Sequence, residues 1–531
     1  MNRRIFLSAL AAVLMLSGCG TDIEKIDVKK VSQADSSSEE LSDSSIAEEQ
    51  TAPEVPEVSF DEVTVTPEPA EYVKYTQTLQ AEEGTLSGGA AASSEREGFT
   101  GEGYVTELVK AEDWSVSFEL PASQYYNVAI TSASDVPCVN ELMGNGAKLM
   151  EVSSSGSGGF ETTIIKNVWL EKGALKVNLN PIDGGLDIDR VTIAASAEIG
   201  SFAPSVKETA LSNASSAENT KTLYSYLSGV YGKKILLGQY DTAGTTAETD
   251  MIFRTTGKYP AVRFGDLMNV TDADSSLTDK DIDLAIQWHK DGGIVGYMWH
   301  WKAPSAKNGF YAEDTDFNIM KAKTPEKTAE QPIESLEKMR DEGKIAAETV
   351  ELIKDIDKAA AELKKLKDAG VPVLWRPLHE ASNGLFWWGR DKDSYIWLWK
   401  VLYKRLNVYH GLDNLIWVWS AQNADWYVGD SLCDIVSADV YSEDKTDSHA
   451  DVLLYLANIS PDKPVIMSEC GSFPSIQSLA DDNAFWGIIG HWGGNYLLTE
   501  SGELSEQYNT ADELIEMYNN SMTVTRDKLA L

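Results

Sequence analysis

Cysteine is almost missing from this chain: 531 residues carry four, Cys19, Cys138, Cys433 and Cys470. Setting Cys19 aside leaves an odd three with no close metal-ligand spacing, so neither a disulfide framework nor a structural zinc site is indicated, although a pair between Cys433 and Cys470 stays open. Positive charge is scarce too, with 45 Lys and Arg against 83 Asp and Glu and a net charge of −38. Such an excess repels phosphate backbones and anionic headgroups, which argues against nucleic acid and leaves a neutral polymer as a comfortable partner. The apolar run at residues 5–16 is too short to span a bilayer as a mature helix. Tryptophan is nearly absent from the first half, where only Trp114 and Trp169 precede Trp288, while the other thirteen lie at or beyond it. The chain therefore has two parts with different work to do.

What is present begins with Met1, Asn2, Arg3 and Arg4, the apolar run, then Ser17, Gly18 and Cys19, the basic, apolar and small-residue order of an export signal. The ending LSGC resembles the bacterial lipobox, which implies lipidation of Cys19 after removal of the signal and a place on the extracellular face of a bacterial envelope, anchored in the membrane. Residues 1–19 are thus expected to be a signal peptide. Residues 20–74, rich in Ser, Glu, Asp and Pro and almost without aromatics, cannot bury enough apolar surface to offset their chain entropy. They are expected to form a disordered acidic tether, extended by its own charge.

Residues 75–197 alternate apolar and polar with period two in short runs, WSVSFEL, YYNVAITSA, ALKVNLN and LDIDRVTIAA, separated by Gly, Asp and Ser turns. The pattern predicts an all-β sandwich, with Trp114 in its core. Within it QAEEGTLSGG, GFTGEGYV and DIDRVTI resemble carbohydrate-binding modules of the family 35 and family 6 type. The resemblance implies a jelly-roll-like domain with a structural calcium held by acidic residues of the first and last strands, here Glu82 and Asp189, which could equally be solvated carboxylates. Trp169 is the expected sugar-stacking residue. A segment at 198–220, rich in Ser, Ala and Asn, reads as a linker.

From 221 to 531 apolar runs alternate with helical stretches. The expected strands are KILLGQY ending at Tyr240, YPAVRFG at Gly265, GIVGYMWH at His300, PVLWRPLHE at Glu380, LIWVWS at Ser420, CDIVSADVY at Tyr441, PVIMSE at Glu469 and FWGIIGHW at Trp492. Eight such units predict a (β/α)8 TIM barrel with its chemistry at the carboxyl ends of the strands. Residues 304–344 are the expected loop insertion shaping the cleft.

The strand ends carry a coherent set. Arg376, His379 and Glu380 close the fourth strand beside the aromatic run LFWWG, and Glu469 closes the seventh, across the barrel mouth. Two facing carboxyl groups, about 5 to 5.5 Å apart in a retaining enzyme, suit cleavage of a glycosidic bond, and indole faces suit sugar rings. The combination of WRPLHE with FWWG, a late SECG, YMWH on strand three, DVY on strand six and the closing TVTRDKL resembles glycoside hydrolase family 26, best known for β-1,4-mannanases. The resemblance implies Glu380 as acid/base, Glu469 as nucleophile and Tyr441 as a hydrogen-bond donor to Glu469. It places His300 and Trp301 along the sugar subsites, Trp492 as the floor beneath the sugar being cleaved, and Arg376 and His379 at the site. Arg376 could also serve as a structural ion-pair partner. Trp387 and Trp388 are either platforms or packing behind the acid. One departure stands out: Leu385 occupies a place where many mannanases carry Trp. The expectation is an endo-acting retaining mannanase on mannan or galactomannan, without a cofactor for catalysis and monomeric. A β-glucanase or xylanase on the same barrel, or a non-catalytic glycan-binding surface lipoprotein, are the alternatives.

Overall fold

The structure is a computed structural model that describes residues 72–206 and 210–531. The signal segment, Cys19 and nearly all of the acidic tether lie outside the described residues.

Two antiparallel sheets build the first part. One orders the strands Ala91–Ser93, Tyr104–Thr106, Asp187–Ala195, Gln124–Ala133 and Glu161–Leu170, with Thr76–Gln80 also on Asp187–Ala195. The other runs Thr85–Leu86, Trp114–Leu120, Gly173–Asn180, Pro137–Gly144 and Ala147–Ser155. Alternate residues such as Phe118, Tyr126, Val128, Leu175, Val177 and Val191 point between the sheets and fill one core. Trp114 is fully enclosed there, its indole N–H donating to the Ala81 carbonyl at 2.9 Å.

Eight parallel strands follow: β1 Ile235–Tyr240, β2 Val262–Asp266, β3 Ile294–Trp299, β4 Val373–Pro377, β5 Leu415–Trp419, β6 Ile435–Val440, β7 Val465–Cys470 and β8 Ile488–His491. Each pairs with the next, and β1 pairs with both β8 and β2, so the sheet closes into the expected barrel. Helices cover its outer face, which is why the strands read as continuous apolar runs. The fourth strand stops at Pro377, three residues short of its expected end. Leu378 and Glu380 adopt left-handed φ values of 54° and 50°, which turn the chain out of the sheet.

Phe264 of β2 plugs the barrel. A Cβ on Gly238 or Gly296 would come within 2.5 or 2.3 Å of its ring, so only glycine leaves room for it. Tyr240 stacks on Phe264 at 4.7 Å, and Trp492 lies on Tyr240 at 4.7 Å. A pillar of three rings thus carries the packed core up to the mouth.

The expected linker is docked onto the barrel over part of its length. Ser212 N donates to buried Asp434 at 2.6 Å, Ala217 N donates to the Asp413 carbonyl, and a helix already begins at Glu218. At the seam between the two parts, Tyr125 donates to Asp482 at 3.2 Å, and Trp169 meets the Tyr125 ring edge-on at 5.1 Å. This corrects the expectation for Trp169: its indole is half-buried against the seam instead of standing on an open sugar-binding face. Cys138, Cys433 and Cys470 are all buried free thiols. Cys433 and Cys470 do not pair, because one precedes β6 at the amino end of the barrel and the other ends β7 at the carboxyl end.

Candidate active site

The carboxyl ends of the strands bring Arg376, Glu380, Tyr441 and Glu469 together. Glu469 is buried, and both of its oxygens accept hydrogen bonds, Oε1 from Arg376 Nη2 and Oε2 from the Tyr441 hydroxyl at 2.7 Å. Arg376 is itself buried. Its Nη1 donates to both oxygens of Asp439 at 3.0 Å and to Ser420 Oγ at 3.2 Å, and Nη2 also reaches the Tyr240 hydroxyl at 3.0 Å. The structural and site roles of Arg376 therefore coincide: one guanidinium joins two carboxylates that would otherwise repel each other.

Glu380 differs from Glu469 in its surroundings. It is partly open to the cleft, its backbone N–H donates to the Ser420 carbonyl at 2.9 Å, and its Oε2 accepts from Asn383 Nδ2 at 3.1 Å. Burial pushes its carboxyl up to about 8, with the negative charges of Asp439 and Glu469 adding to the effect and Arg376 opposing it. Burial likewise raises Asp439 to about 7. The two glutamates thus stand in contrasting environments, one poor in donors and near charges of its own sign, the other held by two donors. Contrasting environments of this kind are how two carboxyl groups in one site come to hold protons differently.

A second chain of polar groups runs from β2. Asp266 accepts from the His300 backbone N–H at 3.0 Å, its other oxygen lies 2.7 Å from His300 Nδ1, and His300 Nε2 lies 3.2 Å from His379 Nε2. Burial lowers the His300 imidazole, but Asp266 outweighs it and the net shift is upward. His379, driven well below its ordinary value by burial and by the neighbouring His300 and Arg376, is neutral. With His379 neutral, His300 Nε2–H can donate to His379 Nε2, which leaves the buried His379 Nδ1 without a partner. Trp492 is partly exposed above Tyr240.

One expected sugar contact, Trp301, is corrected, and for Trp387 and Trp388 the structure selects packing over the platform alternative. Trp301 is fully buried, stacked on Trp299 at 4.1 Å with its N–H donating to Asp355, so it presents no face to a sugar. Trp387 and Trp388 are also fully buried, donating to the carbonyls of Trp301 at 2.7 Å and His379 at 2.9 Å. They pack behind Glu380 and fix the loop that carries it. Asp189 accepts from Thr100, while Glu82 Oε1 accepts from the N–H groups of Glu102 and Gly103. Asp189 is already paired with Arg190 at 2.6 Å, whereas Glu82 Oε2 is buried without a partner. Among the described residues no group of three or more acidic, histidine or cysteine side chains is placed to hold a metal ion.

Sequence reasoning missed Asp439, Asp266 and Asn383. Asp439 and Asp266 stand at the ends of predicted strands, where a barrel carries its chemistry, so position alone could have found them. Asn383 is exposed as a site residue only by the turn that follows Glu380.

The profile of Glycosyl hydrolase family 26 matches residues 212–528, from the docked linker to the last turn. The chain belongs to that family and is a glycoside hydrolase. A mannan endo-1,4-beta-mannosidase of Thermothelomyces thermophilus is 32% identical over 468 residues, covering 85% of this chain and 90% of the relative. Among solved structures, a GH26-CBM35 beta-(1,4)-mannanase of Podospora anserina is 32% identical with a TM-score of 0.53, covering 85% of this chain and 98% of that one. That span exceeds the barrel and takes in the sandwich. A beta-mannanase from a symbiotic protist of the termite Reticulitermes speratus, solved with a gluco-manno-oligosaccharide, is 29% identical with a TM-score of 0.53 and covers 61% of this chain and 99% of its own.

Proposed function

We propose that the protein is an endo-acting, retaining β-1,4-mannanase that cleaves mannan or galactomannan by double displacement. The observation that carries this reading is the pair of unlike glutamates: Glu380, held up to about 8 at the cleft, beside Glu469, bonded on both oxygens. Glu469 attacks the anomeric carbon while Glu380 protonates the departing glycosidic oxygen, giving a glycosyl ester on Glu469. Glu380, now ionised, takes a proton from water, which attacks the anomeric carbon, breaks its bond to the Glu469 oxygen and releases the sugar with its configuration retained. Arg376 and Tyr441 orient Glu469, Trp492 supports the ring under attack, and no cofactor enters these steps. The substrate assignment rests on the mannanase relatives, because the epimeric hydroxyl that separates mannose from glucose is read by subsite hydrogen bonds.

Protein lacking residues 1–19, incubated with linear mannan, galactomannan, mixed-linkage glucan and xylan, should release short oligosaccharides from the first two alone. Release only from glucan or xylan would overturn the substrate and leave the chemistry; no release from any would overturn the enzyme reading for these polymers.

The sandwich is proposed as a carbohydrate-binding module that keeps the barrel near polymer and raises its effective concentration. A structural calcium on Glu82 is part of that proposal. Chelation with EGTA should lower the melting temperature of the wild type but not of Glu82→Gln. Equal melting temperatures of the wild type with and without EGTA would remove the ion.

A further inference from the structure

Residues 304–344 close over the loop that follows Glu380. Tyr311 pairs with Phe386 across an antiparallel bridge, Ala312 N donates to the Leu385 carbonyl at 2.7 Å, and Trp387 N donates to the Phe310 carbonyl at 3.1 Å. Arg390 clamps the same turn from beneath, donating to the carbonyls of Phe317 at 2.9 Å, Thr315 at 3.1 Å and Ala312. The rings form a ladder. Trp388 stacks on Phe386 with centroids 4.5 Å apart and planes at 8°, and Phe386 stacks on Tyr311 at 5.6 Å and 16°. Exposure rises along it from 0% at Trp388 through 4% at Phe386 to 42% at Tyr311. A core stack thus ends in an open aromatic face whose backbone and inner face are already held, so little ordering is left for a ligand to impose.

The position of that face relates it to the acid. Leu385 N donates to Asn383 Oδ1 at 2.9 Å, and Asn383 Nδ2 donates to Glu380 Oε2 at 3.1 Å, so Asn383 and Leu385 together link the proton donor to the loop on which Tyr311 sits. Tyr311 therefore lies on the acid's side of the cleft. A proton donor faces the bridging oxygen, and the sugar beyond that oxygen, away from the nucleophile, is the one that leaves. Leu385, 49% exposed beside it, has no ring to stack.

We propose that Tyr311 is the stacking platform for the leaving-group sugar, supplied by the inserted loop next to an aliphatic Leu385. The inference rests on the mannanase reading for the identity of that sugar. An aromatic ring against a pyranose face should be worth about tenfold in kcat/KM.

The test compares mannotetraose, which has leaving-group sugars, with β-mannobiosyl fluoride, whose leaving group has no ring. Tyr311→Ala should lose about tenfold more kcat/KM on the tetraose than on the fluoride, while Tyr311→Phe, which keeps the ring, should stay within about twofold of wild type on both. Equal loss on both substrates, or no loss on either, would overturn the assignment, the former because it marks a structural role for the ring. Wild-type cleavage of another β-glycan in place of mannan would move the substrate alone, and Tyr311 would be judged by the same ratio with an oligosaccharide of that glycan.

Discussion

Glu469→Ala should lower kcat on mannan by on the order of 10⁴-fold or more, and should do so on every substrate, activated or not. A nucleophile is needed to form the intermediate whatever the leaving group, so no aglycone restores the step. The fold should survive, because Arg376 keeps Asp439, Ser420 and Tyr240 as partners when the carboxylate is removed. Loss of one negative charge from the cluster should also lower the Glu380 carboxyl from about 8, since Glu469 is among the charges that raise it. Added azide provides a sharper check. A small anion that enters the space left by Glu469 attacks from the nucleophile's face, so an activated β-mannobioside should yield an α-mannosyl azide. Near-native hydrolysis of mannan by the purified variant would remove Glu469 from the nucleophile's role.

The barrel was legible because its strands are buried on both faces, and strands such as Ile235–Tyr240 and Val465–Cys470 are short apolar runs bounded by turns and helices. The two glutamates stood out because Glu469 lies near the end of such a strand and Glu380 follows one by three residues. Burial was not. Trp301, Trp387 and Trp388 look the same in sequence whether an indole faces a sugar or another indole, and only packing shows that all three are enclosed. The end of β4 was misread for a related reason: the left-handed turns at Leu378 and Glu380 leave no trace in residue type, since neither is glycine. Asp439 lies near the end of the apolar run IVSADV, where a carboxylate is tolerated because Arg376, Ser468 and Gln422 bond to it. Tyr311 sits in an insertion with no periodic pattern, and its meaning comes from what it stacks on.

Glu380→Ala should separate the two halves of the mechanism. On mannan, where the leaving alkoxide needs a proton, kcat/KM should fall by about 10²- to 10⁴-fold. With a dinitrophenyl β-mannobioside, which needs no proton to depart, the first step should proceed at close to its usual rate. Water then lacks its base, so the glycosyl ester should accumulate and the first turnover should appear as a burst. The pH dependence follows from the same group. Wild-type kcat/KM on mannan should decline as pH rises through about 8, where Glu380 loses the proton it must donate, and this alkaline limb should vanish when Glu380→Ala acts on the dinitrophenyl substrate. Stability has the matching sign. A glutamate raised from 4.5 in the unfolded chain to about 8 in the folded one contributes fully below pH 4.5, and that contribution is lost as pH rises through 8. Glu380→Gln, neutral throughout, escapes that loss, so its melting temperature relative to wild type should climb between pH 5 and pH 9. A difference that stays flat over that range, together with an alkaline limb that persists in the alanine variant, would show that another group donates the proton.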